Sequence, residues 1–95
     1  MTTYYDDYRG HEEQSCIVIF RDNAVVVEYV RDGKPQTYKG NLVGEEYQLG
    51  YWPEVNAFNG IATLSKPEEG LMDGKWVETY PECTCTGQWE IELRE

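Results

Sequence analysis

Two thiols one residue apart, in Cys83-Thr84-Cys85, are the most specific chemical signal in the chain. Such a pair can share a Zn²⁺ ion, although structural zinc sites more often space their cysteines by two or more residues. Cys16 and His11, the single histidine, complete a formal Cys₃His set. Strand count decides whether the four can meet. If Gly44 marks a turn, seven strands place Cys83 and Cys85 at the same end of a meander as Cys16. If residues 36–52 form one long strand, the thiols lie at opposite ends, about 23 Å apart for a seven-residue strand. The simpler reading makes Cys16 a small core hydrophobe and Cys83 and Cys85 reduced loop thiols. That reading is preferred, with no metal or other cofactor expected.

Catalytic groupings are thin. A Ser-His-Asp or Cys-His arrangement would have to recruit His11 from the N-terminal segment, and neither Ser15 nor Ser65 stands in a nucleophile-elbow context. The chain has no phosphate-cradling glycine loop and no His-Glu-x-x-His pattern. Glu45-Glu46 and Glu68-Glu69 fall at turns, where solvated charge is the ordinary explanation. The expectation is a protein that is not an enzyme.

Charge narrows the partners. Eighteen acidic residues against eight basic ones give a net charge of −10. Counterion release from phosphates needs clustered Lys and Arg, so direct nucleic-acid binding is not expected. An anionic membrane surface would repel the chain too, and no apolar run approaches the roughly 20 residues of a spanning helix. A basic protein partner remains compatible, beside the plainer reading that acidity serves solubility. The opening Met1-Thr2-Thr3-Tyr4-Tyr5-Asp6-Asp7 lacks the basic and apolar regions of a signal peptide. An odd number of cysteines, three, argues against a disulfide framework. A reducing cytoplasm is the expected setting.

The elements that would position these groups are strands. Ninety-five residues make one domain with a modest core, helped by eight Tyr, three Trp and two Phe. Residues 1–14 show no sustained period and read as an acidic, Tyr-rich tail, leaving 15–95 as the domain. Cys16–Arg21 and Ala24–Val30 are β-branched runs around Asp22-Asn23, which reads as a two-residue type I′ turn. That turn sets Arg21 opposite Ala24 and fixes two faces. Phe20 with Val25, Val18 with Val27 and Cys16 with Tyr29 make an apolar core face; Ile17, Ile19 and Val26 fall on the other side. Further turns at Asp32-Gly33-Lys34-Pro35 and Gly44, a loop at 53–56 and another at 65–70 separate strands near 36–42, 46–51, 58–64, 71–79 and 87–94. No helical period of adequate length occurs. The expected fold is therefore all-β, a small antiparallel meander of six or seven strands.

Gly74-Lys75-Trp76 echoes Gly87-Gln88-Trp89, each glycine two residues before a tryptophan and so on the same face. Gly40 and Gly60 also fall mid-strand, as a strongly coiled sheet or closed barrel requires. From Tyr38 to Leu93 this spacing of glycines and inward rings resembles that of small calycin-type barrels such as the avidins and lipocalins. The resemblance is architectural: it implies a coiled or closed sheet and carries over no ligand.

Two surfaces then stand out. Tyr38, Tyr47, Tyr51, Trp76 and Trp89 point inward and either line a ligand pocket or, more commonly in a barrel of this size, fill it. Trp52 and Tyr80 stand at loop edges and would rim an opening. Ile17, Ile19 and Val26 form an aliphatic patch on the supposed solvent side, which asks for a cover: the tail, a second copy in a homodimer, or another protein. The expected function is a protein–protein interaction module of inhibitor or adaptor type, steered toward a basic partner by its acidity. A small-ligand carrier is the first alternative and a cysteine-based metal-binding protein the second.

Overall fold

The computed structural model describes residues 1–6, 11–52 and 59–93. Nine strands account for almost all of them: β1 (Thr2–Tyr5), β2 (His11–Glu13), β3 (Cys16–Arg21), β4 (Ala24–Arg31), β5 (Lys34–Val43), β6 (Glu46–Tyr51), β7 (Asn59–Ser65), β8 (Leu71–Thr79) and β9 (Thr84–Glu92). They form one antiparallel sheet in the order β2-β1-β9-β8-β7-β6-β5-β4-β3. The all-β, strongly coiled expectation holds. Among the described residues no helix is long and apolar enough to cross a membrane.

The strand count exceeds six or seven because residues 1–14, read as a tail, contribute β1 and β2. Thr3 lies opposite Trp89 and is buried, and its hydroxyl donates to Gln14 Oε1 at 3.0 Å. The alternation was hidden by composition: Thr2 and Tyr4, which face outward, are no more polar than Thr3 and Tyr5, which face inward. Tyr8, the 53–56 loop, Phe58 and Arg94 lie outside the described residues.

The hairpin register is the expected one, with Arg21 opposite Ala24 and Cys16 opposite Tyr29. Its turn differs in detail. Asp22 has a φ of 55°, but Asn23 is not left-handed, whereas a type I′ turn needs both. Asp32 and Gly33, at 53° and 76°, do meet that requirement. They let β5 begin at Lys34 and include Pro35, which had been placed in the turn. Gly44, at 66°, is a real turn between β5 and β6.

Directions alternate along the sheet, so β2 and β3, at its two ends, run the same way. Only Gln14 and Ser15 separate them. Three steps of chain from Glu13 to Cys16 reach about 11 Å at most, so the sheet must curl until its ends meet at that link. Residues 11–21 thus act as one long strand whose first part pairs with β1 and whose second part pairs with β4. The result is a half-barrel closed at the link and open beside β3.

The concave side carries the core: Val25, Val27, Tyr38, Leu64, Met72, Trp89 and Ile91 are almost fully buried. Tight curling is possible because inward glycines sit where strands crowd. A Cβ on Gly74 would collide with the Thr63 carbonyl oxygen, and one on Gly87 with the Tyr4 carbonyl and the Trp76 ring. The two glycine-before-tryptophan pairs thus serve different contacts: Gly87 leaves room for the Trp76 ring opposite it, and Gly74 lets β8 lie close on the β7 backbone.

Candidate functional site

The inward aromatic residues fill the interior rather than surround a cavity. Tyr38 stands edge-on to Tyr51 at 5.4 Å and to Trp89 at 5.0 Å, while Tyr29 meets Trp89 at 5.9 Å and Tyr5 meets Trp76 at 5.4 Å between centroids. Tyr47 is buried at the other end, against the Phe20 ring. A gap beside Tyr29, Trp76 and Glu78 holds no volume accessible to water. Trp76 lines that gap, and its indole nitrogen is, among the described residues, the only buried side-chain polar atom without a hydrogen-bond partner.

One polar cluster stands in this apolar interior. Glu78 is buried; it accepts from the Tyr38 hydroxyl at 2.6 Å and the Tyr80 hydroxyl at 2.9 Å, and pairs with Arg31 at 3.3 Å. A buried carboxylate is tolerated only with such partners. Burial, then the hydrogen bond to Glu78, pushes the Tyr38 hydroxyl well above the usual phenol range. Burial disfavours charge on Arg31, but Tyr80 and Glu78 outweigh it and hold the guanidinium protonated. Every member is engaged by the others, so the cluster braces one end of the barrel. Tyr80, expected at a rim, belongs to it; Trp52 is exposed and carries Lys39 Nζ 3.9 Å from its ring centroid.

The thiols are not gathered for metal. Gly44 being a turn, Cys16 and Cys85 do lie toward the same end of the strands, yet no group of three or more His, Cys, Asp and Glu side chains in metal reach occurs among the described residues. Cys83 is exposed, and Cys16 and Cys85 are half-buried. His11 lies on β2, with its ring 5.8 Å from that of Tyr4.

The hairpin patch is where the structure leaves apolar surface uncovered. Ile17 is 60% exposed and Ile19 45%. Val26, opposite Ile19, is half-buried on the same outer face. Neither β1 nor β2 covers them, since both pair edgewise on the β9 side. Following the registers outward from Ile19 gives the row Val26, Lys39, Gly50, Ile61, Val77, of which Ile61 and Val77 are exposed. Sequence reading missed Ile61 and Val77 because the residues two places away from each are polar; register sets them in the same row, beyond Lys39 and Gly50.

Beside the patch, β3 has no neighbour on its far side. The Leu42 N–H donates to the Asn23 carbonyl, which sets the phase of β4: its odd residues bond to β5, its even residues to β3. Ile17, Ile19 and Arg21 therefore bond to β4. The backbone N–H and C=O groups of Cys16, Val18 and Phe20 point into the opening. That opening is a slot of about 730 Å³ between β3 and the end of β9.

Against known proteins, the chain matches no family model, no curated protein and no solved structure.

Proposed function

We propose that this chain is a non-enzymatic protein-binding module, of inhibitor or adaptor type, that engages another protein through the β3–β4 hairpin. One observation carries the reading: β3 is a sheet edge with Ile17 and Ile19 exposed on its outer face and a row of backbone groups turned to the opening. Sheet edges of this length and apolarity are normally blunted by charge, proline or a covering loop, because they recruit other strands. β3 carries one charged residue, Arg21, and no proline. The net charge of −10 supports a basic partner, through steering of the encounter.

The filled interior weighs against a carrier reading, since the rings that would line a pocket pack on one another. The test is Ile19→Glu, which places a charge on an exposed site and leaves the core untouched. The variant should melt as the parent does and should lose proteins that the parent retains on a column. Retention of the same proteins by both would contradict the hairpin as the binding face.

A further inference from the structure

The outer face of the hairpin is complementary to itself. Its register lays out three rows: Arg21 opposite Ala24, Ile19 opposite Val26, and Ile17 opposite Glu28. The middle row is aliphatic, one flanking row carries a cation and the other an anion. Arg21 and Glu28 are both exposed, and neither has an ion pair among the described residues. Ile17 and Ile19 stand exposed beside them.

A two-fold axis lying in the plane of a sheet sets one of its faces against the same face of a second copy. Run along the strands, between β3 and β4, the axis keeps each row over itself. Arg21 then stands beside Arg21 of the second copy and Glu28 beside Glu28, and both contacts repel. Run across the strands, along the row of Ile19 and Val26, the axis exchanges the two flanking rows. Ile19 and Val26 then cover their own counterparts, and Arg21 of each copy stands beside Glu28 of the other. The strands of the two copies lie antiparallel across the usual spacing of packed sheets, about 10 Å. The long Arg21 and Glu28 side chains bridge that spacing between them.

The remaining charge permits this arrangement. The outward-facing charged residues of β3, β4 and β5 are Arg21, Glu28 and Lys39, so the net charge of −10 is carried elsewhere. Repulsion between exposed charges is largely screened beyond about 8 Å at physiological ionic strength. Lys39, next to Val26 on the middle row, is turned away from β4 over the Trp52 ring.

We infer that, in the absence of a partner, a second copy of this chain covers the hairpin face. The copies form a symmetric dimer joined by the rows of Ile19 and Val26 and by two pairs of Arg21 with Glu28. This goes beyond the reading that the hairpin binds another protein: it names what hides the face at rest, and that partner competes with the second copy for it. The contact is confined to the hairpin of a curved sheet, at the small end of specific interfaces, so the dimer dissociates readily. The β3 edge stays unpaired in it, because the copies meet by their faces.

The test is sedimentation equilibrium of the intact protein at physiological salt, from about 1 µM to about 1 mM. The parent should pass from monomer to dimer across that range. Arg21→Glu and Glu28→Arg, at exposed positions, should each weaken the dimer by about tenfold or more and leave the circular dichroism unchanged. The two substitutions together should restore it, since the pairs re-form with their charges exchanged. A parent that stays monomeric throughout, single reversals without effect, or a double reversal that fails to restore the dimer would each overturn the inference. So would a dimer that slows exchange of the Cys16, Val18 and Phe20 amides, which is pairing at the β3 edge instead. If the parent is monomeric while Ile19→Glu still loses a retained protein, the dimer is wrong and the binding module stands. If the charge exchange restores the dimer while Ile19→Glu loses nothing, the dimer stands and the module is wrong.

Discussion

β3 and β4 are nearly the same in composition, yet they end in different states. Both are short aliphatic runs of β-branched residues, joined by a tight turn. On β4, the inward Val25, Val27 and Tyr29 are buried. On β3, their partners are not: Phe20 is 43% exposed, and Cys16 and Val18 are only half-buried. Side-chain type does not explain the contrast. β4 lies between two strands, β3 has one, and a residue is buried by its neighbours on both sides. Local sequence specified pairing and facing; the closure of the sheet decided burial. The difference also locates the unsaturated part of the molecule, since β4 to β8 have a neighbouring strand on both sides, and β9 lacks one only at the end that borders the slot.

That contrast can be broken at its strong side first. Trp89→Ala removes a buried ring that touches Tyr29 and Tyr38, and should cost about 3–5 kcal/mol. Phe20→Ala, on the open strand, should cost less than about half of that, because part of its surface is already in water. Denaturant unfolding of both variants measures the gap; equal losses would mean that β3 is as well packed as the rest.

Gly74→Ala should come next, at about 1–3 kcal/mol, since its Cβ would meet the Thr63 carbonyl and force β7 and β8 apart. Ala at Gly50, which faces the open outer surface, should cost about 1 kcal/mol or less on the same measure.

Smaller still is a pH effect. Tyr38 and Tyr29 hold their protons more tightly in the folded chain than in the unfolded one, where the phenol value is 10.0. Their contribution is fully present below pH 10 and is lost as pH rises toward their folded values. The melting temperature should therefore fall above pH 10, and Tyr38→Phe should shallow that fall at the cost of one hydrogen bond to Glu78. A pH-independent melt through this range would remove the buried tyrosines from the account.

Much of this fold is legible in the sequence. The β3–β4 register followed from a two-residue turn, and the seven-strand meander from turn chemistry at Gly33 and Gly44. The curl followed from inward glycines paired with Trp76 and Trp89. What the sequence concealed had physical causes. β1 was hidden because Thr and Tyr serve on either face of a strand, so their alternation leaves no polarity contrast, and β2, His11–Glu13, is exposed and has no apolar residue to mark it. The role of Glu78 is invisible locally because Tyr38 and Arg31, its partners, are 40 and 47 residues away in sequence. The slot is a property of closure, written in no single segment: Gln14-Ser15 joins the ends of the sheet and leaves β3 without its second neighbour.

The most direct test is amide exchange across the hairpin in the protein alone. Ile17, Ile19 and Arg21, bonded to β4, should exchange slowly, as should Val25 and Val27, bonded to β5. Cys16, Val18 and Phe20, turned to the slot, should exchange close to the rate of unstructured chain. This alternation along one strand is what an open edge requires. Uniform protection from Cys16 to Arg21 would show that β3 is already paired on both sides and would contradict the account.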